Sequence, residues 1–102
     1  MRFMPVIWLL FLAQSLPAAE LTFVGFHITE TQEKALELEL EHFAPNATSE
    51  LVLHEQDTEV LGLKSVDYTI ITGGDSYTGG ATGLSEIDAA KKALKRMRER
   101  IE

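Results

Sequence analysis

Three patterns of hydrophobic and polar residues divide this chain. The first is an unbroken apolar block of eleven residues from Phe3 to Ala13, behind the single cation Arg2 and ahead of Ser15-Leu16-Pro17-Ala18-Ala19. A helix needs about 20 apolar residues to cross a hydrocarbon core, so the block is too short to span one. With a basic start and small residues behind it, it reads as a secretory signal peptide over residues 1–19. Cleavage after Ala19 leaves residues 20–102 as a single small domain. Cleavage after Ser15 places Ala13 at the small-residue position and leaves the same folded region. The competing readings of Phe3 to Leu12 are a buried strand or helix of a cytosolic domain, or an uncleaved anchor, but buried strands usually run only about 4–8 residues.

The second pattern has a period of two. Val66, Tyr68 and Ile70 alternate with Asp67, Thr69 and Ile71, and the run ends in Thr72-Gly73-Gly74-Asp75. This predicts a strand closed by a glycine turn, with Ser76 to Gly83 returning as a second strand. Leu21 to Thr29 is rich in aromatic and branched residues and predicts a strand with Val24, Phe26 and Ile28 on one face. Leu51 to His54 and Val60 to Leu63 read as short strands around the polar turn Glu55-Gln56-Asp57-Thr58.

The third pattern is helical. Ile87, Ala90, Leu94, Met97 and Ile101 follow one another at spacings of three and four, behind the capping pattern Ser85-x-x-Asp88. Acids at the start and bases at the end suit the helix dipole. Leu36-Glu37-Leu38-Glu39-Leu40-Glu41 is ambiguous: it alternates like a strand, yet every residue in it is a good helix former. Thr29-x-x-Gln32 supplies a cap and Pro45 a stop, so a helix at about 30–43 is favoured over a strand. The expected fold is α+β: a small antiparallel sheet of three to five strands, with the C-terminal amphipathic helix and this second helix packed on one face.

Charge changes the picture. Residues 20–88 carry fourteen acids against two bases, Lys34 and Lys64, whereas residues 89–102 carry six bases against two acids. An anionic partner would therefore meet the C-terminal helix, whose outer face holds Lys91, Lys92, Lys95, Arg96, Arg98 and Arg100. The alternative is a solvated face paired with the domain's own acids.

From about Glu33 to Met97, the helix, three-strand, helix order resembles a double-stranded-RNA-binding domain. The segment Thr78-Gly-Gly-Ala-Thr-Gly83, followed by Ser85 and Ala89-Ala90-Lys91-Lys92-Ala93-Leu94, carries the likeness. That family has lysines at the start of the last helix; here Leu84, Ser85, Glu86, Ile87 and Asp88 stand there, and acids repel phosphate. No RNA-binding residue is carried over, and no nucleic-acid partner is expected.

Catalytic chemistry is sparse. There is no cysteine and no G-x-S-x-G elbow, which removes disulfides, lipidated cysteine anchors and the marked nucleophiles. Five of seven glycines fall between Gly73 and Gly83, and Gly73, Gly74, Gly79 and Gly80 make a candidate ligand loop. No lysine follows Gly79 as a phosphate-binding loop requires, so hairpin turn and close packing are the expected roles. Asn46-Ala47-Thr48 is a glycosylation sequon. His27, His42 and His54, with Glu30, Glu41, Glu55 and Asp57 nearby in sequence, offer metal-ligand chemistry without the spacing of a dedicated site, so no metal or cofactor is assigned.

The functional expectation is a periplasmic or secreted, non-enzymatic binding module. It would act on an exported or envelope protein through Lys91, Lys95, Arg96 and Arg98. Two alternatives are a small metal carrier or enzyme using the three histidines, and membrane-surface association through the basic helix.

Overall fold

The computed structural model describes residues 18–54 and 62–102, so the apolar block at 3–13 and the turn at 55–58 lie outside the described residues. The order of elements is β1 (Glu20–Val24), α1 (Glu30–Phe43), β2 (Thr48–His54), β3 (Lys64–Thr72), β4 (Asp75–Gly83) and α2 (Glu86–Ile101). The four strands form one sheet in the order β1-β2-β3-β4. The fold class is α+β, as expected, but the sheet is mixed. β2, β3 and β4 pair antiparallel, whereas β1 runs parallel to β2 because α1 carries the chain back across the sheet between them.

Local chemistry accounts for each boundary. The Thr29 hydroxyl accepts from the Gln32 N–H and the Gln32 side chain accepts from the Thr29 N–H, a reciprocal cap that starts α1. Helical geometry settles the Leu-Glu alternation: Leu36 and Leu40, one turn apart, are buried, and Leu38 is 65% exposed. β1 is shorter than expected and faces the other way. Gly25 takes φ +82° and ends the strand, so Leu21 and Phe23 point inward and Val24 outward. Phe26 and Ile28 still pack against the core, but from the connection to α1. Val60–Leu63 is not a strand over its described part: Gly62 turns at φ +67° and β3 begins at Lys64. The β3–β4 hairpin closes through Gly73 and Gly74, at φ +59° and +87°, the left-handed pair that a two-residue hairpin loop requires.

The core lies between one sheet face and the helices. Leu36, Leu40, Leu51, Val66, Ile70, Leu94 and Met97 are its largest fully buried side chains. Beneath β3 and β4, the buried stripe of α2 is widened by Ala89 and Ala93 beside the expected Ala90, Leu94 and Met97. The small alanines let the helix approach the glycine-rich β4. Ser49, the buried polar residue of the core, donates its hydroxyl to the Thr69 carbonyl (2.8 Å) and lies 3.6 Å from Met97 Sδ. The opposite sheet face is open, with Ile71 and Val24 about half exposed among threonines and serines. Among the described residues, no helix is long and apolar enough to cross a membrane.

Candidate functional site

A helix that buries alanines on one side must present its long side chains on the other. Lys91, Lys92, Lys95, Arg96, Arg98 and Arg100 are all exposed along α2. The structure divides the four expected contact residues. Lys95 and Arg96 line a groove of about 470 Å³ with Lys92, Glu99 and Thr82 of β4. Lys91 and Arg98 are not among the residues lining it. Arg96 also reaches a second hollow of about 300 Å³ beside Ser65, Asp67, Gly80 and Thr82, so this guanidinium sits where the helix meets the outer strand.

The acids at the start of α2, counted above against a phosphate ligand, are engaged within the domain. Glu86 Oε1 accepts from the His27 backbone N–H at 2.6 Å, and Oε2 lies 3.3 Å from His27 Nδ1, tying the β1–α1 connection to the helix start. Asp88 Oδ2 accepts from the Leu84 N–H (3.3 Å) and pairs with Lys92 (3.6 Å), while the Asp88 N–H donates to Ser85 Oγ at 3.1 Å. Arg98 pairs with Glu102 at 3.2 Å. No acid among the described residues forms an ion pair with Lys95 or Arg96. Sequence counting could not see that the acids nearest the cations serve as caps and tethers.

The remaining candidates are structural. Gly73 and Gly74 are the hairpin turn. Gly79 leaves room for the Tyr68 ring, whose Oη would lie 2.5 Å from any β-carbon placed there. Gly83, the residue sequence reading passed over, lets the first turn of α2 close on β4, since a β-carbon there would meet Ala89 N at 2.6 Å. Gly73 and Gly74 thus turn the hairpin, and Gly79 and Gly83 admit close neighbours. His27 is held by Glu86, and His54 Nε2 lies 2.7 Å from Asp67 Oδ2. His42 is exposed at the end of α1. The structure does not bring the three together, and no group of three or more metal-ligating side chains converges among the described residues. Asn46 is exposed in the turn before β2.

No family model matches the chain, and no curated protein matches it in sequence. Solved structures do match its fold. A ribosomal subunit interface protein from Coxiella burnetii is 14% identical with a TM-score of 0.59, the match covering 81% of this chain and 91% of that one. The N-terminal domain of Thermus thermophilus Protein Y is 13% identical at a TM-score of 0.59, covering 84% and 96%. At these identities the likeness shows the fold.

It also corrects the functional expectations. The exported module acting on an envelope protein and the periplasmic or secreted location descended from the apolar block, which lies outside the described residues, whereas the exclusion of nucleic acid rested first on the acids at the start of α2. The fold is instead shared, over 81% of this chain, with a protein named for the ribosomal subunit interface, and a ribosome is an RNA-rich assembly inside the cell. Of the acids set against phosphate, Glu86 is held by His27 and Asp88 by the Leu84 N–H and Lys92, and the Lys92 pair offsets the charge of Asp88.

Proposed function

We propose that this chain is a non-enzymatic, ribosome-associated module that contacts ribosomal RNA through the cationic face of α2. The observation that carries the reading is the exposed row Lys91, Lys92, Lys95, Arg96, Arg98 and Arg100 on a fold shared with a ribosomal subunit interface protein. A 16-residue helix is about 24 Å long at 1.5 Å per residue, enough for its cations to meet several phosphates of a folded RNA. Arginine suits phosphate through its planar fork of donors, and lysine adds charge without geometric demand. The acids elsewhere repel RNA, so the cationic face sets the orientation of docking.

Sedimentation of the full chain with purified ribosomes and separated subunits through sucrose gradients tests this. Co-migration at low salt should weaken steeply as salt rises, and Lys92→Glu, Lys95→Glu, Arg96→Glu combined should abolish it. A chain that remains at the top of the gradient with ribosomes and both subunits at low salt refutes the proposal.

A further inference from the structure

The two edges of the sheet are treated differently. The outer edge of β1 is partly covered: the Leu21 N–H, directed away from β2, donates to Glu37 Oε2 of α1 at 3.3 Å. The outer edge of β4 has no such cover. A two-residue hairpin makes Thr72 and Asp75 a hydrogen-bonded pair, so the pairs Ile70–Tyr77, Tyr68–Gly79, Val66–Ala81 and Lys64–Gly83 are bonded too. Ser76, Thr78, Gly80 and Thr82 therefore aim their N–H and C=O groups outward. All four are exposed, and no other described backbone group bonds to them. The strand has no proline, no bulge and no charge beyond Asp75 at its start, and thus lacks the usual devices that keep an edge from pairing.

We propose that β4 is an acceptor edge for an extended acidic peptide, which adds as a fifth strand with its carboxylates on Lys92, Lys95 and Arg96. Main-chain bonds to Ser76, Thr78, Gly80 and Thr82 supply the pairing, and the cations that line the groove beside Thr82 select the charge. Charge favours a peptide over a second copy of this chain, because β4 carries Asp75 as its one acid, whereas an extended peptide can present a carboxylate at every other position to the cations beside Thr82. An acidic strand meets complementary charge at the same place. The site is separate from RNA contact in its requirement for the strand edge, although Lys92, Lys95 and Arg96 serve both.

Fluorescence anisotropy with a labelled peptide of about eight residues alternating Glu and Val, set against the same peptide with Lys for Glu, tests the proposal. The acidic peptide should bind and the basic one should not. Thr78→Pro deletes one outward N–H while keeping every bond to β3, and should weaken binding about tenfold, leaving ribosome co-sedimentation unchanged. On the unaltered chain, N-methylation of alternate peptide residues along the pairing edge should remove binding. Equal affinity for acidic and basic peptides, or affinity indifferent to both Thr78→Pro and N-methylation, overturns the proposal. So does a chain that sediments as a dimer and becomes monomeric on Thr78→Pro, since a second copy then occupies the edge.

Discussion

Replacing Gly83 with alanine tests whether the glycine-rich segment is a packing device. A β-carbon at this position would lie 2.6 Å from Ala89 N, 2.6 Å from Asp88 Oδ2 and 2.9 Å from Ala89 Cα. Ordinary contacts between such atoms are about 3.5–4.0 Å, so the first turn of α2 must retreat from β4 by roughly 1 Å. It cannot retreat alone: Ala89, Ala90, Ala93 and Leu94 are fully buried beneath the sheet, and the Ser85 cap and the Leu84–Asp88 bond hang on the same turn. Overpacking of this kind costs about 1–3 kcal/mol, and the disturbed cap adds to it, so a loss of about 2–3 kcal/mol is expected. In a domain of this size that lowers Tm by roughly 8–24 °C. Gly80→Ala is the internal control, because its nearest neighbour is the exposed Asp67 carboxylate at 3.2 Å, which can swing aside. Thermal unfolding followed by circular dichroism at fixed pH and protein concentration reads both. A Gly83→Ala chain melting within about 2 °C of the parent, or no lower than Gly80→Ala, refutes the packing account.

Other substitutions probe the remaining supports. Thr29→Ala removes the hydroxyl half of the α1 capping box and should cost about 1 kcal/mol in urea unfolding, with Thr29→Ser restoring most of it. Ser49→Ala leaves the Thr69 carbonyl without its hydroxyl donor in the core and should cost about 1 kcal/mol, read the same way. Glu86→Gln loosens the tether to the β1–α1 connection; amide exchange at His27 should accelerate while that of Leu94 stays unchanged. Glu37→Ala uncovers the outer edge of β1 and should speed exchange at Leu21 without moving β4.

Most of the element order was legible in the sequence, because period and caps are local. Thr29 with Gln32 and Ser85 with Asp88 start their helices, and Gly73-Gly74 turns the hairpin, as the chain itself implies. The face of β1 was misread because alternation over Leu21 to Thr29 gives no sign that Gly25 breaks the strand and inverts which residues point inward. The histidines stand in three separate segments of the chain, and the contacts of two of them, His27 with Glu86 and His54 with Asp67, are tertiary. Among the glycines, Gly73 and Gly74 form the turn while Gly79 and Gly83 are close approaches, and which is which resides in what packs against each.

By itself the sequence determined the α+β class, the C-terminal helix and the concentration of positive charge on it, since each rests on residues within a few positions of one another, while it favoured α1 and left a strand open there. Tertiary structure alone decided that β1 runs parallel to β2, that Glu86 and Asp88 meet internal partners, that Lys92, Lys95 and Arg96 gather beside Thr82, and that the edge of β4 stays open while that of β1 is partly covered. Each of these depends on groups far apart in the chain meeting through the sheet, and a carboxylate's electrostatic meaning is set by the donor it meets there.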